Sequence, residues 1–211
     1  MKNRDHDANA LIQKGMKAAV KDLPAQTVEY LGHGLRLGSS HYVYWYAYAI
    51  ALGELALYED SEKAFRKALQ LSKGEKQSGI WSAFAEMLER QGRLKTAERY
   101  HRRAVQARPR DAGPWIRWGA FLAKRGRLDE AQTCHRKATT LRKGAIDEAY
   151  LNLGYIYRAK RLYRQAQECF RKAIKLDPGY SHAKSALKDV APLVPATVGE
   201  LLQWPGQQRV D

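Results

Sequence analysis

A block of about 34 residues recurs four times between residues 42 and 180. Each copy has an aromatic-rich segment, then a segment that combines a large ring, two basic residues and an alanine. A repeat of this length is typical of a supersecondary unit that cannot bury its apolar face alone, so that successive units must stack. The copies begin at Tyr42, Ser78, Ala112 and Asp147, so the steps between them are 36, 34 and 35 residues.

The spacing of rings and small residues within each copy predicts a pair of helices. When each copy is numbered from its first residue, places 4, 7, 8 and 11 form one helical stripe and places 20, 24, 27 and 28 form another. Place 8 is alanine or glycine and place 27 is always alanine, which would allow two helix backbones to approach closely. Place 4 holds Trp45, Trp81, Trp115 and Tyr150, and place 27 holds Ala68, Ala104, Ala138 and Ala173.

The stretch HYVYWYAYA, residues 41–49, places a tyrosine at every second position. That period alone is typical of a β-strand, and the rings alone could stack on nucleic-acid bases. Its location at the start of a copy instead predicts the first helix of a hairpin. Because that helix is apolar nearly all round, we expect it to be buried, with Trp45 and Tyr48 in the seam between helices.

This arrangement closely resembles the tetratricopeptide repeat, whose signature is W-x2-L-G-x2-Y, then A-x3-F, then P. The resemblance covers residues 42–180 and includes Pro109 and Pro178 at place 32. It implies an all-α fold, an α-solenoid of helix-turn-helix units wound into a right-handed superhelix. The predicted units are 42–75, 78–111, 112–145 and 147–180.

Both ends of the chain depart from the repeat. Residues 1–41 are predicted to form N-terminal helices of a degenerate unit, in which Gly32 and Gly34 weaken the second helix. Residues 180–190 are predicted to be a C-terminal capping helix. The proline-containing tail, residues 191–211, is either disordered or docked in a groove through Leu201, Leu202 and Trp204, on a short helix that Thr197 would cap.

Composition limits the possible function. Two cysteines make no disulfide framework, and neither a signal peptide nor a run of roughly 18 apolar residues is present, so we expect a cytoplasmic protein. No catalytic or metal-binding motif occurs, and we expect no enzyme activity, cofactor or metal. His101, His135, Cys134 and Cys169 recur at equivalent places and are predicted to fill the core.

The resemblance implies a concave groove lined by the first helix of each unit. Such a groove, apolar at its floor and charged at its rim, suggests a protein partner that supplies a peptide or a helix. Alternatively, these residues are core because the array curls tightly or the tail covers them. Most of the clamp that grips chaperone tails is absent. The implied groove residues are Ile12, Met16, Tyr46, Ile50, Ser82, Glu86, Arg90, Ile116, Ala120, Lys124, Leu151, Tyr155 and Arg158.

The net charge of +15 is concentrated in one block, Arg90 to Lys175, which has 23 basic and 7 acidic residues. The block predicts a partly acidic partner. Basic pairs at places 25 and 26 form an outer stripe, which offers nucleic-acid (RNA) binding as an alternative function. A further alternative is a homo-oligomer formed through residues 191–211. The stripe comprises Arg66, Lys67, Arg99, Arg102, Arg103, Arg136, Lys137, Arg171, Lys172 and Lys175.

Overall fold

A computed structural model describes residues 2–38 and 41–194, with side chains from residue 7 onward. In these residues the secondary structure is entirely helical, which confirms the predicted all-α, helix-turn-helix solenoid class. The α-helices are α1 (Lys2–Val20), α2 (Pro24–Arg36), α3 (Tyr42–Glu54), α4 (Tyr58–Leu71), α5 (Gln77–Arg90), α6 (Leu94–Ala107), α7 (Ala112–Ala123), α8 (Leu128–Thr139), α9 (Ile146–Ala159), α10 (Tyr163–Leu176) and α11 (Ser181–Val190).

Two compact units make up the chain, Met1–Trp118 and Gly119–Asp211. Unit one contains the hairpins α1/α2, α3/α4 and α5/α6 and the first part of α7. Unit two contains the rest of α7, then α8, the hairpin α9/α10, and α11, which packs on α10. Within the described residues, no helix is long and apolar enough to span a bilayer.

The tyrosine-rich stretch is helical. It forms the start of α3, where the His41 imidazole accepts a hydrogen bond from the Val43 amide at 3.4 Å. Trp45 and Tyr48 pack against the cluster of Ile12, Leu31 and Leu35, as the helical interpretation requires. The rings from Tyr42 to Tyr48 are half-buried, however, and the expectation of a fully enclosed helix is wrong. A tyrosine can bury its ring while its hydroxyl stays at the surface.

Within a hairpin, the small residue at place 8 faces the large residue at place 24. An added Cβ on Gly154 would lie 2.4 Å from Cε1 of Phe170, and one on Gly15 would lie 2.6 Å from Cγ of Leu31. Gly34 of the degenerate hairpin is similarly close, since a Cβ there would be 2.9 Å from Cγ1 of Ile12. These glycines therefore set the distance between the two helices, although glycine also lowers the intrinsic stability of each helix.

Aromatic rings connect successive hairpins of unit one. Phe65 of α4 stacks on Phe84 of α5, with centroids 4.9 Å apart and planes 10° from parallel. Phe84 lies 4.8 Å from Tyr100 of α6, and Tyr100 lies 4.8 Å from Trp81. Phe65 and Phe84 are each 1% exposed. The Phe65–Phe84 stack thus joins the α3/α4 hairpin to the α5/α6 hairpin, and the other two contacts continue the ring cluster within α5/α6.

The turn inside each hairpin requires one left-handed residue at place 15. Gly92 and Gly126 occupy it with φ of 73°, whereas three other hairpins place a residue with a side chain there. Those residues are Asp22, Ala56 and Arg161, with φ of 55°, 58° and 60°. A residue with a Cβ pays roughly 1–2 kcal/mol for this conformation, so the same turn is strained in three hairpins and relaxed in two.

We predict that Gly154→Ala lowers the free energy of unfolding by about 1–3 kcal/mol, because the new methyl group displaces the buried Phe170 ring. The matched control is Gly79→Ala on α5, where the nearest atom to an added Cβ is the Tyr46 hydroxyl at 3.9 Å. That change should be stabilising by about 0.5–1 kcal/mol, since alanine is the better helix former. Urea denaturation of both variants checks this, and equal effects would contradict it.

We also predict opposite effects at the two kinds of turn. Gly92→Ala should be destabilising by about 1–2 kcal/mol, because a residue with a Cβ is strained at a φ of 73°. No atom lies within 4 Å of the added Cβ, so new packing contacts would not offset the strain. Ala56→Gly should be stabilising by several tenths of a kcal/mol or more, because it relieves the same strain. Thermal unfolding followed by circular dichroism measures both shifts; a lower melting temperature for Ala56→Gly would refute the explanation.

Candidate peptide-binding site

In unit one, burial of the implied groove residues follows their place in the repeat. The place 5 side chains of Ile12, Ser82 and Ile116 are 2%, 3% and 3% exposed and belong to the interior. Tyr46, at the same place, is half-buried. Met16, Ile50 and Glu86 at place 9 are also half-buried, and Arg90 at place 13 is exposed. Among the implied groove residues of unit one, the accessible ones are therefore Tyr46 and those at places 9 and 13.

A cavity of about 300 Å³ lies among α1, α2 and α3, and we call it the first pocket. Its volume is at the lower end of the range for ligand sites, roughly 300–1,000 Å³. Most of its lining is apolar, and Asp22 and Glu54 supply the charges. The lining residues are Met16, Ala19, Asp22, Leu23, Pro24, Thr27, Val43, Tyr46, Ala47, Ile50, Ala51 and Glu54.

A second cavity, of about 210 Å³, adjoins the first, and we call it the second pocket. Tyr46, Ile50 and Glu54 line both cavities and so form the ridge between them. The second pocket is more polar, because two arginines and a second glutamate also face it. Its lining residues are Tyr46, Ala49, Ile50, Gly53, Glu54, Phe65, Ala83, Glu86, Met87, Arg90 and Arg117.

Charges in the second pocket are partly compensated. Arg117 of α7 donates a hydrogen bond to the Glu86 carboxylate of α5. This ion pair joins the first helices of two successive repeats, and both residues lie in unit one. Burial raises the pKa of the Tyr46 hydroxyl; the Arg117 guanidinium opposes the shift and the Glu86 carboxylate reinforces it. Arg90 forms no ion pair with the side chains described, those of residues 7–38 and 41–194, whereas Arg117 of the same pocket is paired with Glu86.

Unit two presents a smaller set of the implied groove residues. Leu151 is buried in a cluster with Phe170. Tyr155 is half-buried, with its ring 5.5 Å from that of Phe170, and the Arg158 guanidinium lies over Tyr155 at 5.0 Å. The remaining two, Ala120 and Lys124, are half-buried and exposed respectively. On unit two, accessible groove chemistry thus comes from an aromatic ring and two cations.

All ten residues of the predicted outer stripe are exposed. Several nevertheless have partners within the chain. Arg66 pairs with Glu62 at 2.6 Å and Arg102 with Glu98 at 2.9 Å. Arg103 lies over the Trp81 ring at 5.0 Å. Two further cations of the stripe also lie over rings, Arg99 over Tyr100 and Lys172 over Tyr150.

The recurring cysteines and histidines are buried. Burial raises the pKa of the Cys134 thiol to about 12 and that of the Cys169 thiol to about 11, so both remain protonated at neutral pH. A protonated, buried thiol is a poor nucleophile and a poor metal ligand. His101 is 1% exposed, and its Nε2 lies 2.8 Å from Oε1 of Glu89.

His135 is also 1% exposed, and its Nδ1 has no hydrogen-bond partner among the residues described. Burial lowers its pKa to about 4. Because the unfolded chain binds this proton near pH 6.5, the contribution of His135 to stability is complete above pH 6.5 and is lost as the pH falls towards 4.

We therefore predict that His135→Phe removes part of the acid sensitivity. The variant reproduces the glycine and phenylalanine pair that Gly154 and Phe170 form in the next hairpin. From pH 7 to pH 4 the wild type should lose up to about 3 kcal/mol more unfolding free energy than the variant. Urea denaturation at several pH values measures the difference, and parallel pH profiles would contradict the assignment.

Several pocket residues were not predicted from the sequence. Val43 at place 2 and Ala19 at place 12 stand at places that contact the ligand in the repeat pattern but were not named as groove residues, and Leu23 at place 16 has no such contact. The pocket forms because α1 and α2 are held against α3. Arg117 stands at place 6, where the chaperone-tail clamp would have a polar residue. That place in the repeat could have indicated Arg117 as a pocket residue. The predicted docking residues Leu201, Leu202 and Trp204 lie outside the described part of the chain.

Two family models match the chain. Residues 81–162 match the model described as the Cilia and flagella-associated protein 70 middle TPR-like domain, and residues 147–180 match the model of the tetratricopeptide repeat. No curated protein has significant sequence similarity to this chain.

Solved structures with similar folds are themselves repeat proteins. YrrB, described as a TPR protein with an unusual peptide-binding site, aligns at TM-score 0.58 and 24% identity, covering 89% of this chain and 94% of that chain. MamA from Desulfovibrio magneticus RS-1 aligns at TM-score 0.63 and 20% identity, covering 83% and 97%. The APC/C hetero-tetramer Cut9-Hcn1 aligns at 0.68 and 14% identity, covering 88% of this chain and 36% of that one. Identities this low show a shared fold alone.

Proposed function

We propose that this chain, in which residues 81–162 and 147–180 match models of tetratricopeptide-type repeats, is a protein-interaction scaffold that binds a peptide or a helix of a partner protein. The binding surface we propose is the groove of unit one, formed by the two pockets and the ridge between them. For unit two, taken by itself, we propose Tyr155, Lys124 and Arg158 as the contacts that its own surface offers. YrrB, a protein of similar fold, is described as having an unusual peptide-binding site, and this supports the choice.

One observation carries the proposal. Two adjoining cavities of about 300 and 210 Å³ share the exposed faces of Tyr46 and Ile50, although neither residue is needed to fill the interior of its hairpin. The core beneath them is already made by Phe65, Leu52 and Ala49, which are at most 2% exposed. Apolar surface that lines a concave site beyond the core is what a docking side chain requires.

Charge places a further condition on the partner. Arg90 lines the second pocket without a carboxylate partner in the described residues, and Lys124 and Arg158 are exposed on unit two. Each can form a charge-assisted hydrogen bond with an acidic side chain of a bound peptide. We therefore propose that a partner segment is acidic where it meets Arg90 on unit one, and that a segment bound to unit two is acidic where it meets Lys124 or Arg158.

Ile50→Asp tests the proposal, since a carboxylate on the ridge disrupts both pockets. The probes are synthetic peptides obtained by selecting a phage-displayed library of random 12-residue sequences on the immobilised full-length chain. We predict at least about tenfold weaker binding, equivalent to 1.4 kcal/mol, measured by fluorescence anisotropy. The matched control is Val20→Asp, which introduces the same charge at a side chain that is 86% exposed and lines neither pocket.

Circular dichroism establishes that both variants are folded. Equal affinity of the selected peptides for wild type and Ile50→Asp would refute a binding site in this groove. Peptides that lose affinity for Val20→Asp as well would indicate a general charge effect rather than a specific site.

Nucleic-acid binding through the outer stripe is supported by the exposure of its ten basic side chains. It is disfavoured because several of them are engaged within the chain, as the pairs Arg66–Glu62 and Arg102–Glu98 show. The rings that could stack on bases, such as Trp81 and Tyr100, instead contact each other and Arg103. We therefore place the partner in the groove and make RNA the second candidate.

A further inference from the structure

Resting on the proposed function, we infer that the first pocket selects a partner segment in which a bulky apolar residue is accompanied by a lysine or an arginine. The net charge of +15 suggests an acidic partner, whereas this pocket would prefer a basic residue. The preference for a positive charge comes from two carboxylates that line the pocket, Asp22 and Glu54.

The body of the first pocket can hold an apolar side chain and little else. Its walls are provided by Met16, Ile50, Val43 and Leu23, and its threonine, Thr27, already donates its hydroxyl proton to the Leu23 carbonyl at 2.9 Å. A polar side chain that entered would therefore find few partners and would lose its hydration. A leucine, methionine or aromatic side chain would gain from burial, at about 25 cal/mol for each Å² removed from water.

Both charged residues that line the first pocket are acidic. Asp22 stands in the left-handed turn between α1 and α2, and Glu54 is the last residue of α3. Neither forms an ion pair within the described residues, and no lysine or arginine lines this pocket. Both residues are exposed at the rim. A cation attached to the segment that fills the pocket would therefore meet two carboxylates that form no ion pair with the side chains described.

The second pocket adds two arginines to its carboxylates, and this gives the bound segment a direction. It contains Arg90, which is unpaired in the described residues, together with the Arg117–Glu86 pair. Glu54 lies on the ridge that both pockets share. A segment that crosses the ridge would thus carry its basic residue at the Asp22 and Glu54 side and its acidic residue at the Arg90 side. Complementary charges of this kind set register and orientation more than affinity.

The test is a charge exchange between chain and peptide. The probes are the synthetic 12-residue peptides selected on the full-length chain, each compared with a version in which its basic residue is replaced by glutamate. We expect the selected sequences to contain an apolar residue within four positions of a lysine or arginine. We further expect Glu54→Lys to weaken the basic peptides about three- to tenfold, the range of a partly exposed ion pair that is lost and replaced by repulsion.

The same variant should improve the binding of the glutamate-containing peptides by a similar factor, because the exchanged charges again attract. The matched control is Glu59→Lys, which makes the same substitution at an exposed residue of α4 that lines neither pocket and should leave the preference unchanged. Because coulombic attraction between exposed groups is screened by salt, the preference should shrink from 50 mM to 500 mM NaCl.

Failure of this inference is distinguishable from failure of the proposed function. If Ile50→Asp abolishes binding but Glu54→Lys leaves the preference between basic and acidic peptides unchanged, the groove binds peptides and the inference is wrong. Selected peptides that are acidic beside the apolar residue would overturn it equally. If Ile50→Asp has no effect, the proposed groove itself is wrong.

The chain's own sequence offers one competing occupant, since Leu202 and Trp204 are followed by Arg209. A synthetic peptide of residues 195–211 is therefore added as a competitor. If it displaces the selected peptides at equal or lower concentration, the assignment of the pocket to a separate partner is overturned. If it competes only at much higher concentration, a partner of the stated chemistry is supported.

Discussion

The close approach of two helices within a hairpin is the contact on which the rest of the structure depends. A glycine or alanine at place 8 lets the large side chain at place 24 lie against the opposite backbone, as Phe170 does against Gly154. The same place 24 side chain can also reach the next hairpin, as Phe65 of α4 does when it stacks on Phe84 of α5. The close pairing of helices in a hairpin and the stacking of hairpins therefore both follow from packing a large side chain against a small residue.

This packing also explains why accessible apolar side chains remain on the first helix. Since the second helix of a hairpin supplies the ring that fills its interior, the first helix does not need all its apolar residues for the core. Ile50 and Tyr46 are left half-buried on a concave surface, with Glu54 one helical turn beyond Ile50. A scaffold of this type presents side chains from several rigid helices at fixed spacing, and its specificity then depends on which charges stand at the rim.

How far the sequence predicts the molecule can be judged from particular residues. The helices and the small-to-large contacts follow from spacing, because periods of three and four residues leave few alternatives for 42–180. The turn conformations at Ala56 and Arg161 were not predictable, because alanine and arginine have no preference for positive φ and the hairpin geometry imposes it. The burial of Ile12, Ser82 and Ile116 also differs from their implied role as groove contacts, since periodicity assigns a face but not its degree of exposure.

By itself the sequence determined the class of fold, because every repeat carries the same ring, alanine and basic residues in local order. It also determined that the positive charge is concentrated between Arg90 and Lys175. Only the tertiary structure decided the sign of charge at the first pocket. Asp22 and Glu54 are 32 positions apart and belong to different hairpins, and they line one cavity because α1 and α2 pack against α3. A bulk charge of +15 carries no information about such a local exception, since what a bound residue experiences is set by the nearest few groups.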